Sequence, residues 1–130
     1  MSKLINGKKM KFSLKPVPKV NQTCMFFDDG KISYSRMYQA TVKQVMVYDD
    51  APDKVKKAFE RESKTHDWIW NKTTDYIVAC EIKDYDNRSL IWFARTVDGG
   101  WFSMDVDKAW QGGRLDIDGE LEDYLVSLFD

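Results

Sequence analysis

The sequence predicts an α+β fold: a curved antiparallel sheet or partly open β-barrel of about six strands, with two α-helices. Three observations lead there. Most apolar segments are short, rich in β-branched and aromatic residues, and alternate or run continuously as strands do. Compact turn signals such as "DDGK" and "VDGG" separate them, and short turns make antiparallel neighbours. Only two segments, "DDAPDKVKKAFERESK" and "DGELEDYLVSLF", carry apolar residues at helical spacing.

The elements follow in order. The first 20 residues hold six lysines and no acid. In them "KMKFSL" alternates, with Met10, Phe12 and Leu14 on one face of a strand. Pro16 and Pro18 then interrupt regular structure. Residues 1–19 therefore read as a basic N-terminal arm whose mobility the sequence leaves open, and 20–130 as a single α+β domain. "TCMFF" and "KISYS" flank a turn near Asp29–Gly30 and predict a hairpin. "MYQATVKQVMVY" predicts a long strand, with a bulge where its alternation slips at Lys43–Gln44.

The first helix has Asp50 as its expected N-cap, Pro52 in its first turn and Asp53 beside its positive end. Val55, Ala58 and Phe59 would face the core. "THDWIWNKTTD" reads as irregular chain or a short strand. "YIVACEI" is almost continuously apolar and so should be a central strand. "LIWFART" and "WFSMDV" form a hairpin across Asp98-Gly99. "DKAWQGG" is a loop and "RLDI" a short strand. In the last helix Leu121, Tyr124, Leu125 and Leu128 share one face, and Asp118 is the expected cap.

The chain length of 130 residues suits one domain with an ordinary core. No apolar run approaches the ~20 residues of a membrane span. No apolar stretch follows the N-terminal lysines as in a secretion signal. Cys24 and Cys80 each sit among apolar neighbours, which predicts two reduced, buried thiols and a cytoplasmic protein. Net charge is −1, yet residues 1–65 hold 14 Lys+Arg against 7 Asp+Glu, while 66–130 hold 6 against 14. Such polarity can steer a partner.

The inventory for catalysis is thin. His66 is the one histidine, and a lone histidine is usually structural. Neither cysteine has a base or a predicted helix N-terminus beside it. No G-x-S-x-G, P-loop, H-E-x-x-H or zinc spacing occurs. Asp84/Asp86, Asp105/Asp107 and Asp116/Asp118 are i, i+2 pairs, but "DIDGEL" lacks the ligand order of a calcium loop. Turns and caps account for these acids, and no metal or cofactor is expected. Glu81-Ile82-Lys83 at a strand end resembles the E-x-K signature of the PD-(D/E)xK nucleases, in which a carboxylate holds Mg²⁺ and a lysine assists water. That signature also needs an acid on a neighbouring strand. Asp75 lies earlier on the same strand and Asp67 precedes a weak one, so a Mg-dependent nuclease is a minor alternative.

Binding is the better supported class. Lys8, Lys9, Lys11, Lys15 and Lys19 make a basic arm suited to phosphates, and sheet tryptophans could stack bases. The acidic second half would repel a duplex. On "WFSMDV" the set Phe102, Met104 and Val106 reads as the core face. That leaves Trp101 beside Ser103 and Asp105 on the polar side. Trp110 follows in a Gly-rich loop, near Asp107 and Arg114. Tryptophan and arginine are the residues most enriched at interface hot spots. Trp101, Asp105, Asp107, Trp110 and Arg114 are thus the candidate contacts for a protein with a basic surface. The competing reading puts both tryptophans under a helix or the N-terminal segment. The expected function is a non-catalytic regulatory or inhibitory accessory protein. The small size suits a phage or mobile-element product. Nucleic-acid binding is the alternative.

Overall fold

The structure is a computed structural model that describes residues 3–5, 8–10, 16–29, 31, 33–67, 69–70, 74–84, 90–106 and 112–128. Strands β1 (Lys3–Ile5) and β2 (Lys8–Met10) pair antiparallel as a small sheet of their own. Six further strands close a barrel: β3 (Thr23–Asp28), β4 (Met37–Val47), β5 (Tyr76–Ile82), β6 (Ile91–Arg95), β7 (Trp101–Ser103) and β8 (Gly113–Asp116). Each pairs antiparallel with the next, and β8 returns to β3 in the register Phe26↔Leu115. Helix α1 (Asp53–Thr65) lies between β4 and β5, and α2 (Glu120–Ser127) follows β8. The predicted class holds, and the sheet is fully closed.

Closure divides the core in two. Cys24, Phe26, Ala40, Val42, Val78, Cys80, Phe93, Trp101 and Leu115 point inward and fill the barrel. Outside, Val55 and Phe59 of α1 join Trp70, Ile77, Ala79, Trp92, Ala94 and Met104 in a second layer. Strand β5 alternates between the two, Val78 and Cys80 inward and Ile77 and Ala79 outward. That double burial explains its continuous apolar run. The expected bulge is present: the β4–β5 register shifts between Val42 and Gln44. Ala40 and Val42 face inward before it, and Val45 packs against the barrel interior after it. Gly113 is required where β8 crosses β3, since a Cβ there would lie 2.1 Å from Phe26 Cζ.

Several local expectations are corrected. "KISYS" was expected to be a strand; instead Tyr34–Arg36 form a 3₁₀ turn, with Ser33 Oγ accepting from the Ser35 amide. Asp50 does not cap α1. It belongs to a 3₁₀ turn over Tyr48–Asp50, and Pro52 occupies the cap position without a side-chain bond. Glu62 joins Val55, Ala58 and Phe59 in burial. Of the apolar face expected for α2, only Leu125 is buried. "VDGG" does make the β6–β7 turn, with Gly99 at φ 88. The Thr96 hydroxyl donates to Asp98 Oδ1 within it.

One barrel end is closed by a buried arginine. Arg95 donates from Nε to Asp75 Oδ1 (3.2 Å) and from Nη2 to Oδ2 (3.1 Å). Its Nη1 donates to the Gly99 carbonyl (3.1 Å), and its guanidinium lies 4.3 Å from the Trp101 ring centroid. Cation–π attraction strengthens in such a desolvated place. The residues before β3 are anchored to the barrel as well. Trp101 Nε1 donates to the Pro16 carbonyl (3.3 Å), and Pro18 is buried.

Candidate interaction surface

Of the five residues expected to form one contact patch, Trp101, Asp105 and Arg114 are described, and they do not share one open face. Trp101 is 0% exposed and belongs to the barrel interior, which corrects its placement on an open polar face. Its strand has no polar side, because α1 and Trp70 cover the outside. Ser103 is buried too and accepts from the Gly113 amide at 2.9 Å. Arg114 lies half-buried on the outer face, 3.3 Å from Asp98 Oδ2 and 5.8 Å from the Phe102 ring centroid. Burial pushes the Asp98 carboxyl up, but the Thr96 hydroxyl, the Arg114 charge and the Gly100 amide outweigh it and hold its pKa below the usual value. Asp107 and Trp110 lie outside the described residues.

Asp105 is turned toward α1. Glu62 Oε2 accepts from its amide (3.1 Å), and Arg61 Nη2 donates to its carbonyl (2.6 Å). Glu62 is 5% exposed. Among the described residues its Oε1, Asp105 Oδ1 and Trp70 Nε1 are buried without a hydrogen-bond partner. Burial raises the Glu62 pKa, and the Asp105 charge raises it further; the Asp105 amide, Arg61 and His66 pull the other way. Helical spacing puts Glu62 on the apolar face of α1, but no local pattern links it to Asp105.

The acidic C-terminal region presents its surface through α2. Residues 115–130 contain six acids and no lysine or arginine. Asp116, nearly fully buried, accepts from the amides of Leu121 and Glu122 at 3.0 Å each. Gly119, not Asp118 as expected, holds the cap position, at φ 77; Asp118, one residue before it, takes the Glu120 amide at 3.2 Å. Two carboxylates at the positive end of the dipole thus fix the start of α2. Tyr124 is 56% and Leu128 57% exposed. They lie four residues apart, in one row of the helix.

Beside the first turn of α2 is a cleft of about 400 Å³ lined by Thr23, Cys24, Met25, Gln39, Asp116, Ile117, Gly119 and Glu122. The sheet register builds its floor: Gln39 pairs with Met25, and Met25 with Asp116, across β4, β3 and β8. Sequence reasoning missed this site, because Thr23, Met25 and Gln39 reach α2 only through the β3–β8 seam. Cys24 is no nucleophile here. Burial, followed by the Asp116 charge, pushes its thiol up to about 12.

The other predicted sites remain apart. Lys8 and Lys9 lie on β2, Lys11 and Lys15 fall outside the described residues, and Lys19 is exposed. Asp75 and Glu81 stand at opposite ends of β5, on the order of 20 Å apart at the rise of a strand. Asp75 is engaged by Arg95, whereas Glu81 pairs with Lys43 at 3.5 Å. One ion cannot bridge that span. No group of three or more metal-ligating side chains occurs among the described residues. No described helix is long and apolar enough to cross a membrane. Compared with protein-family models, curated proteins and solved structures, the chain matches none.

Proposed function

We propose that this chain is a non-catalytic protein-binding module, a regulatory or inhibitory accessory protein that grips a basic partner surface through α2. The observation that carries this reading is the exposed Tyr124–Leu128 row on a helix that also carries Glu120, Glu122 and Asp123, in a stretch, 115–130, whose sequence holds no lysine or arginine. Exposed apolar surface rimmed by polar residues is the pattern that marks protein interaction sites. The acid rim steers a cationic partner and disfavours phosphate backbones. Burial of both unpaired cysteines supports a reducing, cytoplasmic setting. Trp101 is inside the barrel, so this reading takes α2 as the acidic contact surface.

The test compares wild-type protein with the double variant Tyr124→Ser, Leu128→Ser as baits in nuclease-treated lysate. Both side chains are exposed, so the fold should survive, which circular dichroism checks. The expected result is a protein held by wild type and lost by the variant. Its affinity, remeasured with purified components, should fall as salt rises. Identical capture by both baits would overturn the α2 reading.

A further inference from the structure

We propose that the cleft beside α2 receives one cationic side chain, an arginine or a lysine, from the protein partner; this deepens the α2 reading and rests on it. At about 400 Å³ the cleft is near the lower end of ligand-pocket sizes, room for a side chain rather than for a helix. Its walls suit an alkyl stem. Met25 and Ile117 are apolar, and a thioether adapts its shape to what it meets. Its polar groups suit a cationic tip: the Gln39 amide oxygen, the Thr23 hydroxyl and the Glu122 carboxylate are acceptors. Among the described residues no lysine or arginine lines it, and an anionic group would face the carboxylates of Asp116 and Glu122.

The two acids differ in role. Asp116 is committed to the Leu121 and Glu122 amides, where it offsets the positive end of α2 that would otherwise repel a cation. Among the described residues no side chain pairs with the Glu122 carboxylate, which stands half-buried at the rim. A guanidinium bonded there gains a charge-assisted contact, and its planar fork can reach Gln39 or Thr23 at the same time. The cleft and the Tyr124–Leu128 row both belong to α2. At 3.6 residues per turn Glu122 lies roughly 120–160° around the helix from that row, so a partner that fills both wraps across α2.

The test is an amide chemical-shift titration of the ¹⁵N-labelled protein with N-acetyl-arginine methylamide at millimolar concentration. The neutral isostere N-acetyl-citrulline methylamide is the control. The expected result is saturable shifts at Thr23, Met25, Gln39 and Gly119–Glu122 with the arginine compound and none with citrulline. Glu122→Gln should weaken binding roughly tenfold, as loss of a charge-assisted bond does. Equal shifts from both compounds, or shifts scattered over the surface, would refute the cleft assignment. That failure can be told from failure of the α2 reading. If Tyr124→Ser, Leu128→Ser abolishes partner capture while Glu122→Gln and Gln39→Ala leave it unchanged, the surface stands and the cleft does not.

Discussion

Glu62→Gln should make the protein more stable at neutral pH, although it removes a charge from an ion pair. Among the described residues Glu62 Oε1 and Asp105 Oδ1 are buried acceptors without donors. An unpartnered buried acceptor costs about 1–3 kcal/mol. Glutamine keeps an oxygen for the Asp105 amide and turns an amino group toward the Asp105 carboxylate. It also removes the repulsion between the two acids. What is lost is the contact with Arg61 at 3.7 Å, about 0–1 kcal/mol for a half-exposed arginine. The net gain is about 1–2 kcal/mol, or a midpoint shift of roughly 0.5–1 M in urea. The pH dependence follows from linkage. The Glu62 pKa is raised in the folded state from its ordinary 4.5, so the folded chain holds the proton longer. Wild-type stability then falls as pH rises from about 4.5 through the folded value, and is level above it. The advantage of glutamine should open over that window and close below it. Urea titrations at pH 4 and pH 7 measure both. A Glu62→Gln protein that loses stability at pH 7 as Glu62→Ala does would refute the argument.

Trp101→Ala should cost about 3–5 kcal/mol in urea unfolding, as expected for a large buried aromatic; a loss under 1 kcal/mol would place the ring at the surface. Asp116→Ala should cost about 1–2 kcal/mol, since it removes the acceptor for two helix amides. Hydrogen exchange should quicken at Leu121 and Glu122 while the barrel amides stay protected. Cys24 and Cys80 should not react with an aromatic disulfide reagent at pH 8 until denaturant opens the barrel; rapid labelling in the native state would contradict their burial.

The fold was legible where local chemistry decides it. The slip in alternation at Lys43–Gln44 marks a bulge because a strand must keep its phase against two covered faces. Asp98-Gly99 marks a turn because glycine takes φ 88 there. What escaped was set by closure. In a lone sheet, Trp101 next to Ser103 and Asp105 reads as the wet face. In the barrel that face is the interior, and the polar neighbours are satisfied by Gly113 or turned toward α1. Helical spacing placed four apolar residues of α2 in the core, whereas the helix meets the barrel along a narrow line and buries only Leu125. The cleft depends on Met25 pairing with both Gln39 and Asp116, contacts between strands far apart in sequence that no local pattern encodes.

The seam between β3 and β8 has a further consequence. Every barrel strand has a neighbour on both sides, so among the described residues its backbone amides and carbonyls offer no open edge except where β4 runs past β3, from Gln44 to Val47. Along the paired ladders a binding partner cannot add a strand of its own, as peptides do on open sheets. Nor can two copies join barrel to barrel through exposed ladders. Any recognition along those ladders would have to be written in side chains, and substitutions there would leave the hydrogen bonds that hold the fold undisturbed.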